Sequence, residues 1–193
     1  MTWNFNCHIF RIIDNPFSVS TCSYNHYRIG ARDDIWARKS TLMVELEDAS
    51  LILRDASANS LVLLDELGRG TSTNDGSALA RSVLEHLVEG IKCISVFVTH
   101  YKNVADMEAR LTGKLVNGHM GYKAKDTEEE HEHGKDAGGT KSILFLYKLS
   151  SGQADSSFGM NVARMAGLPS PVVDLAEKVA NEMKAQAESK SHC

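Results

Sequence analysis

Leu61-Val-Leu-Leu-Asp65-Glu66-Leu-Gly68-Arg69-Gly70-Thr71 is the stretch that decides the fold of this 193-residue chain. From Ser60 to Leu64 the run is short and almost wholly apolar, the pattern of a strand buried on both faces. Two carboxylates end it abruptly, and Gly68-Arg69-Gly70 supplies a turn. Acids at the carboxyl end of a buried strand stand where open α/β sheets place their ligands. The first carboxylate suits a magnesium ion, reached through water. The second can orient the water that attacks a terminal phosphate. Taken alone, an Asp-Glu pair after an apolar run is more often a strand that simply ends in a charged, exposed turn.

Working outward, Leu42, Leu46, Ala49, Leu53 and Ala56 recur at steps of four and three, which predicts a helix over 39–57. Leu79, Val83, Leu84, Leu87 and Val88 predict a second over 77–89, with Gly90 as its stop. Cys93 to Val98 is a second buried strand, ending at Thr99-His100. Strand, helix and strand over about 40 residues make a βαβ unit with a right-handed crossover. Parallel strands share their carboxyl edge, so His100 falls near Glu66; alone, such a histidine is more often a cap.

A shorter helix is expected at 102–110, and strands at Lys114–Lys123 and Lys141–Leu149. The polar, glycine-rich stretch between them, 125–140, reads as a solvated, disordered hairpin insert. His131 and His133 within it belong to that solvated charge run. Helices at Ser157–Ala166 and Val172–Ala187 follow, separated by Gly167, Pro169 and Pro171. Residues 1–26 carry no hydrophobic period, and no structure is assigned to them.

Composition sets the limits. With 42% hydrophobic and 24% charged residues, the chain has the make-up of a soluble globular protein. Its length suits one domain, or one with an appendage. Lys and Arg total 21 against 25 Asp and Glu, a net charge of -4, which argues against binding nucleic acid by phosphate neutralisation. Cys7, Cys22, Cys93 and Cys193 lack metal-ligand spacing, so reduced thiols and an intracellular compartment are expected. No apolar run approaches the roughly 18 residues of a membrane span, so no membrane partner is expected.

The longer stretch Asp65-Glu-Leu-Gly-Arg-Gly-Thr-Ser-Thr-Asn-Asp75-Gly76 resembles the signature of the MutS mismatch-repair ATPases. Arg28-Ile-Gly-Ala-Arg-Asp33-Asp34-Ile with Ser40-Thr41-Leu-Met43-Val-Glu45-Leu is similar to the family's stretch upstream of Walker B. Phe97-Val-Thr-His100-Tyr resembles its switch-histidine segment. Ser157-Phe-Gly159-Met-Asn-Val162-Ala163-Arg-Met-Ala166-Gly167-Leu-Pro169 resembles its C-terminal helix-turn-helix. The likeness covers residues 27–185. Val116-Asn-Gly-His119-Met-Gly121-Tyr and the acidic insert look most like the eukaryotic subunit specific to MutSβ, which recognises insertion/deletion loops.

The resemblance implies an α/β chain: a partial ABC-type ATPase domain over 27–150, with a mostly parallel sheet and flanking helices. A helix-turn-helix dimerisation region and tail, 151–193, would follow it. Asp65 would support magnesium, Glu66 would be the catalytic base, and His100 would sense the γ-phosphate. Ser40 and Thr41 would lie in the signature loop and meet the partner's ATP in trans, and Arg69 and Thr71 would contact nucleotide at the dimer interface. Residues 157–185 would dock on a MutS-homologue partner subunit in a heterodimer. Mismatched DNA would be met by domains outside this chain, in the nucleus.

The sequence contains no GxxxxGK[ST]. That loop supplies backbone donors and a lysine to phosphates. Losing three charged hydrogen bonds removes roughly 4.5–9 kcal/mol, which takes a micromolar site at least to millimolar. The chain alone is therefore expected to bind and hydrolyse ATP poorly. The strand that feeds the loop is also expected to be missing, leaving an apolar sheet edge open. Residues 1–26 are set apart as a segment foreign to the family pattern. Two other readings stay open: a non-catalytic dimerisation module or non-functional truncated product, and an ATPase of the chromosome-structure or double-strand-break class. The Gly68–Gly76 run and the helix-turn-helix argue against the last.

Overall fold

The expected βαβ unit forms around β3 (Ser60–Asp65), α2 (Thr73–Glu85) and β4 (Ile94–Thr99). The computed structural model describes residues 8–12, 24–28, 40–126, 141–154 and 158–190. β3 and β4 pair in parallel, with Leu64 opposite Phe97 and Asp65 opposite Val98. β2 (Tyr24–Arg28) lies parallel on the other side of β3. Ser72 caps α2: its Oγ accepts from the Asp75 N–H at 3.2 Å. The helix does not stop at Gly90. It widens into a π-helical turn, His86–Ile91, and ends at Lys92, whose φ is 62°. Gly90 serves packing instead, since a Cβ there would lie 2.8 Å from the His86 Nδ1.

Among the described residues one sheet has six strands in the order β2-β3-β4-β1-β5-β6. β1 (His8–Ile12) runs antiparallel between β4 and β5 (Leu115–Asp126), with Ile9 opposite both Val98 and Gly118. This corrects two expectations. The segment 1–26 contributes strands, and the edge of β4 is covered rather than open. Backbone N–H and C=O groups along a strand edge must be paired when buried, whatever side chains their partner carries. A five-residue strand recruited in that way leaves too little periodicity to read.

Leu64, Leu67, Leu84, Leu87, Phe97 and Leu115 are all buried and form the core against the sheet. Cys93 is buried too, 3.2 Å from the Ser95 Oγ. On α1 (Thr41–Asp55) the buried line is Glu45, Ala49 and Ile52, turned from the expected Leu42–Leu46 line. The helix expected at 102–110 is two short ones, α3 (Lys102–Ala105) and α4 (Met107–Arg110), separated by Asp106. Asn117 on β5 donates to the Ala105 carbonyl at 2.8 Å and ties α3 to the sheet.

The chain divides into two units, the first formed by 1–120 and 148–155. In the second, the Phe158 ring lies 4.3 Å from that of Tyr122 and 6.5 Å from that of Phe145. Its helices are α5 (Gly159–Met165) and α6 (Ser170–Lys190), joined by Arg164, which reaches Glu177 at 2.8 Å and Asp174 at 3.5 Å. α6 starts before the expected Val172 because Pro171 occupies its first turn, where a missing N–H has no partner to lose. Val172, Leu175, Val179 and Met183 are exposed along it. β6 (Lys141–Ser151) agrees with the predicted strand, while most of the insert, 127–140, lies outside the described residues. Among the described residues no helix is long and apolar enough to cross a membrane.

Candidate active site

β3 carries Asp65 and Glu66 to the carboxyl edge of the sheet, and β4 carries His100 beside them. The Glu66 N–H donates to the Val98 carbonyl at 2.8 Å, extending the ladder one residue past β3. There the backbone of Glu66 turns into the left-handed region, φ 49°. A non-glycine residue pays of order 1–2 kcal/mol for that conformation. The turn leaves its carboxylate between two nitrogen groups. Oε1 lies 3.8 Å from the His100 Nδ1, and Oε2 lies 2.5 Å from the Arg69 Nη1. Glu66 is only 13% exposed, against 66% for Arg69. Asp65 is half-buried at the end of β3.

The turn is held from several directions. The Gly68 N–H donates to the Glu45 carboxylate, and the Gly68 carbonyl accepts from the Tyr101 hydroxyl at 2.9 Å. Gly68, at φ +91°, crosses Gly76 so closely that a Cβ on either would overlap the other's backbone. A Cβ on Gly70 would lie 3.0 Å from the Leu42 Cβ. Burial first, then the charges of Glu45 and Glu66, raise the Tyr101 phenol above its ordinary range, so it remains a protonated donor at neutral pH.

Sequence reasoning missed Glu45 and Tyr101. The signal for Glu45 was present: an acid at helical spacing from both Leu42 and Ala49, on the edge of the apolar stripe. Tyr101 had only its place beside His100, whose ring lies 4.3 Å from its own. The structure groups Asp65, Glu66, Arg69 and His100. Ser40 and Thr41 lie at the start of α1, where the Ser40 Oγ accepts from the Met43 N–H at 3.2 Å. Thr71 precedes the Ser72 cap and is partly exposed.

Among the described residues no three His, Cys, Asp or Glu side chains are set to hold a metal by themselves. Two neighbouring carboxylates at a strand end do fit a magnesium ion shared with phosphate oxygens, since that ion is usually held by one or two carboxylates plus substrate. The donor set therefore fits the metal and terminal-phosphate end of a nucleotide site. The residues that would cradle the remaining phosphates are not in this sequence.

The family model described as MutS domain V matches residues 14–184. Residues 14–26, which sequence reading set apart, fall within that match; β1 precedes it. The chain is 47% identical over 167 residues to the DNA mismatch repair protein Msh3 of Dictyostelium discoideum, covering 86% of this chain and 11% of that one. It is 43% identical over 162 residues to MSH3 of Chaetomium globosum, covering 81% and 14%. It is 40% identical over 157 residues to Msh3 of Mus musculus, again covering 81% and 14%. The chain thus spans between 11% and 14% of the length of these relatives.

Proposed function

The chain belongs to the MutS family, and from that premise we propose that it supplies the Walker B carboxylates, the switch histidine and the trans signature loop of a mismatch-repair ATPase. The observation that carries this reading is the Glu66 carboxylate, mostly buried and set between His100 and Arg69 at the end of β3. When bound, ATP and magnesium supply the phosphoryl group to be transferred and the neutralising charge. Asp65 would hold the ion, and Glu66 would take a proton from water. His100, on the next strand, would face the terminal phosphate. Arg69 and Thr71 would line the nucleotide at the subunit interface. Ser40, which is exposed, and Thr41, which is half-buried, would reach the partner's nucleotide from the start of α1.

The exposed stripe Val172, Leu175, Val179 and Met183 supports docking on a MutS-homologue subunit, since large apolar side chains at helical steps favour burial against a partner. Recognition of mismatched DNA, and of insertion/deletion loops in particular, falls in this reading to parts of the relatives outside the matched stretch. A nuclear location follows from the same reading. The test is Glu66→Gln in an intact protein, one that carries a phosphate loop together with this stretch, within its heterodimer. Loss of a general base is expected to slow turnover about 10²–10⁴-fold with ATP still held. Unchanged turnover removes Glu66 as the base.

A second reading, a non-catalytic docking module, is favoured by the same stripe together with the missing phosphate loop. A complex with the partner that forms at micromolar concentration but never turns over ATP would select it.

A further inference from the structure

Glu45 is 2% exposed, on the inner line of α1. A carboxylate removed from water is unfavourable unless hydrogen-bond donors are aimed at it. One donor here is not a side chain but the Gly68 N–H, twenty-three residues on. The other end of Gly68, its carbonyl, is taken by the hydroxyl of Tyr101, two residues past the end of β4. Both polar groups of one glycine are thus held by buried side chains from two separate segments. Two residues before that glycine stands Glu66, at φ 49°. A left-handed non-glycine residue persists only where its surroundings over-determine it. Tyr101 also touches the His100 ring, so the residue that grips Gly68 also touches the imidazole beside Glu66.

We propose that Glu45 and Tyr101 are positioning residues that grip Gly68 from both sides and thereby set the separation of Glu66 and His100. Neither touches the reacting atoms; each acts through the Gly68 peptide. Glu45 lies little more than one turn after Ser40 and Thr41, so a displacement at the start of α1 is carried by its carboxylate to the turn that bears Glu66. The functional meaning of this arrangement rests on the ATPase reading. The grip on Gly68 does not depend on it.

The test is amide hydrogen exchange and NMR spectroscopy of the 193-residue chain with Glu45→Leu, Glu45→Gln and Tyr101→Phe. Losing a charge-assisted bond in Glu45→Leu should speed exchange at the Gly68 amide about tenfold or more, while the Val62, Leu64 and Phe97 amides keep their rates. Glu45→Gln retains an acceptor and should restore most of the protection. Tyr101→Phe keeps the ring but releases the Gly68 carbonyl, so the Arg69 amide, which shares that peptide, and the His100 ring resonances should shift. Parent-like Gly68 exchange in Glu45→Leu, or no recovery in Glu45→Gln, overturns the proposal. If the Leu variant unfolds, Tyr101→Phe decides, and unmoved Arg69 and His100 signals overturn it. No nucleotide enters this experiment. A failed Glu66→Gln test would remove the ATPase reading and leave the grip on Gly68 standing, and the converse holds equally.

Discussion

Gly76→Ala sets two physical effects against each other. Gly76 lies inside α2 and its φ is an ordinary one, so helix propensity favours alanine by about 0.5–1 kcal/mol. The tertiary structure opposes this. A Cβ at Gly76 would lie 2.1 Å from the Gly68 carbonyl oxygen and 2.5 Å from the Tyr101 hydroxyl. The first neighbour is backbone, and the second is the tip of a buried side chain hydrogen-bonded to that same carbonyl. Forcing the crossing open costs about 1–3 kcal/mol as overpacking. Breaking the Tyr101–Gly68 bond adds about 0.5–1.5 kcal/mol. Subtracting the propensity gain leaves a net loss of about 0.5–4 kcal/mol, centred near 2. Urea denaturation measures it directly, and for a chain of this size the melting point should fall by about 4–8 °C. Ala78→Gly, at an exposed position of the same helix, calibrates propensity alone and should lose about 1 kcal/mol. A Gly76→Ala protein as stable as the parent, or more so, would refute the close crossing and with it the account of how the turn after β3 is held.

Phe97 is fully buried at the centre of the core, and Phe97→Ala should destabilise by about 3–5 kcal/mol in the same assay. In the second unit, the hydrogen bond from Arg164 and then its charge hold the Glu177 carboxyl below the usual carboxylate range. The stabilisation is therefore full above the unfolded value, near pH 4.3, and is lost as pH falls through the lowered folded one. With Glu177 42% exposed it amounts to under about 1 kcal/mol; α5 amide exchange in the parent and in Glu177→Gln should differ at pH 7 and converge well below pH 4. Calorimetric titration of the isolated chain with MgATP should give a Kd of about 1 mM or weaker, and micromolar binding would contradict the role assigned to the missing phosphate loop.

Much of the unit that carries the site was legible from residue order. The strand ending in Asp65 and Glu66, the helix after it and the strand ending at His100 all follow from apolar spacing within about a dozen residues, because strand and helix periods are local properties. Local spacing also separated α5 from α6, though it put the start of α6 too late by treating Pro171 as a breaker rather than a first-turn residue. It misplaced the inner face of α1 as well, for it had no reason to turn an acid inward.

Residue order alone was enough for the βαβ frame, for two carboxylates and a histidine at one sheet edge, and for the likeness to a family of ATPases. Three features emerge only in the folded chain: β1 fills the place beside β4, Gly68 is held beside the left-handed turn at Glu66, and Glu45 faces inward. Those features depend on backbone groups that carry no residue code and on partners 23 and 33 residues away. Contacts at that separation exist only once the chain has closed on itself.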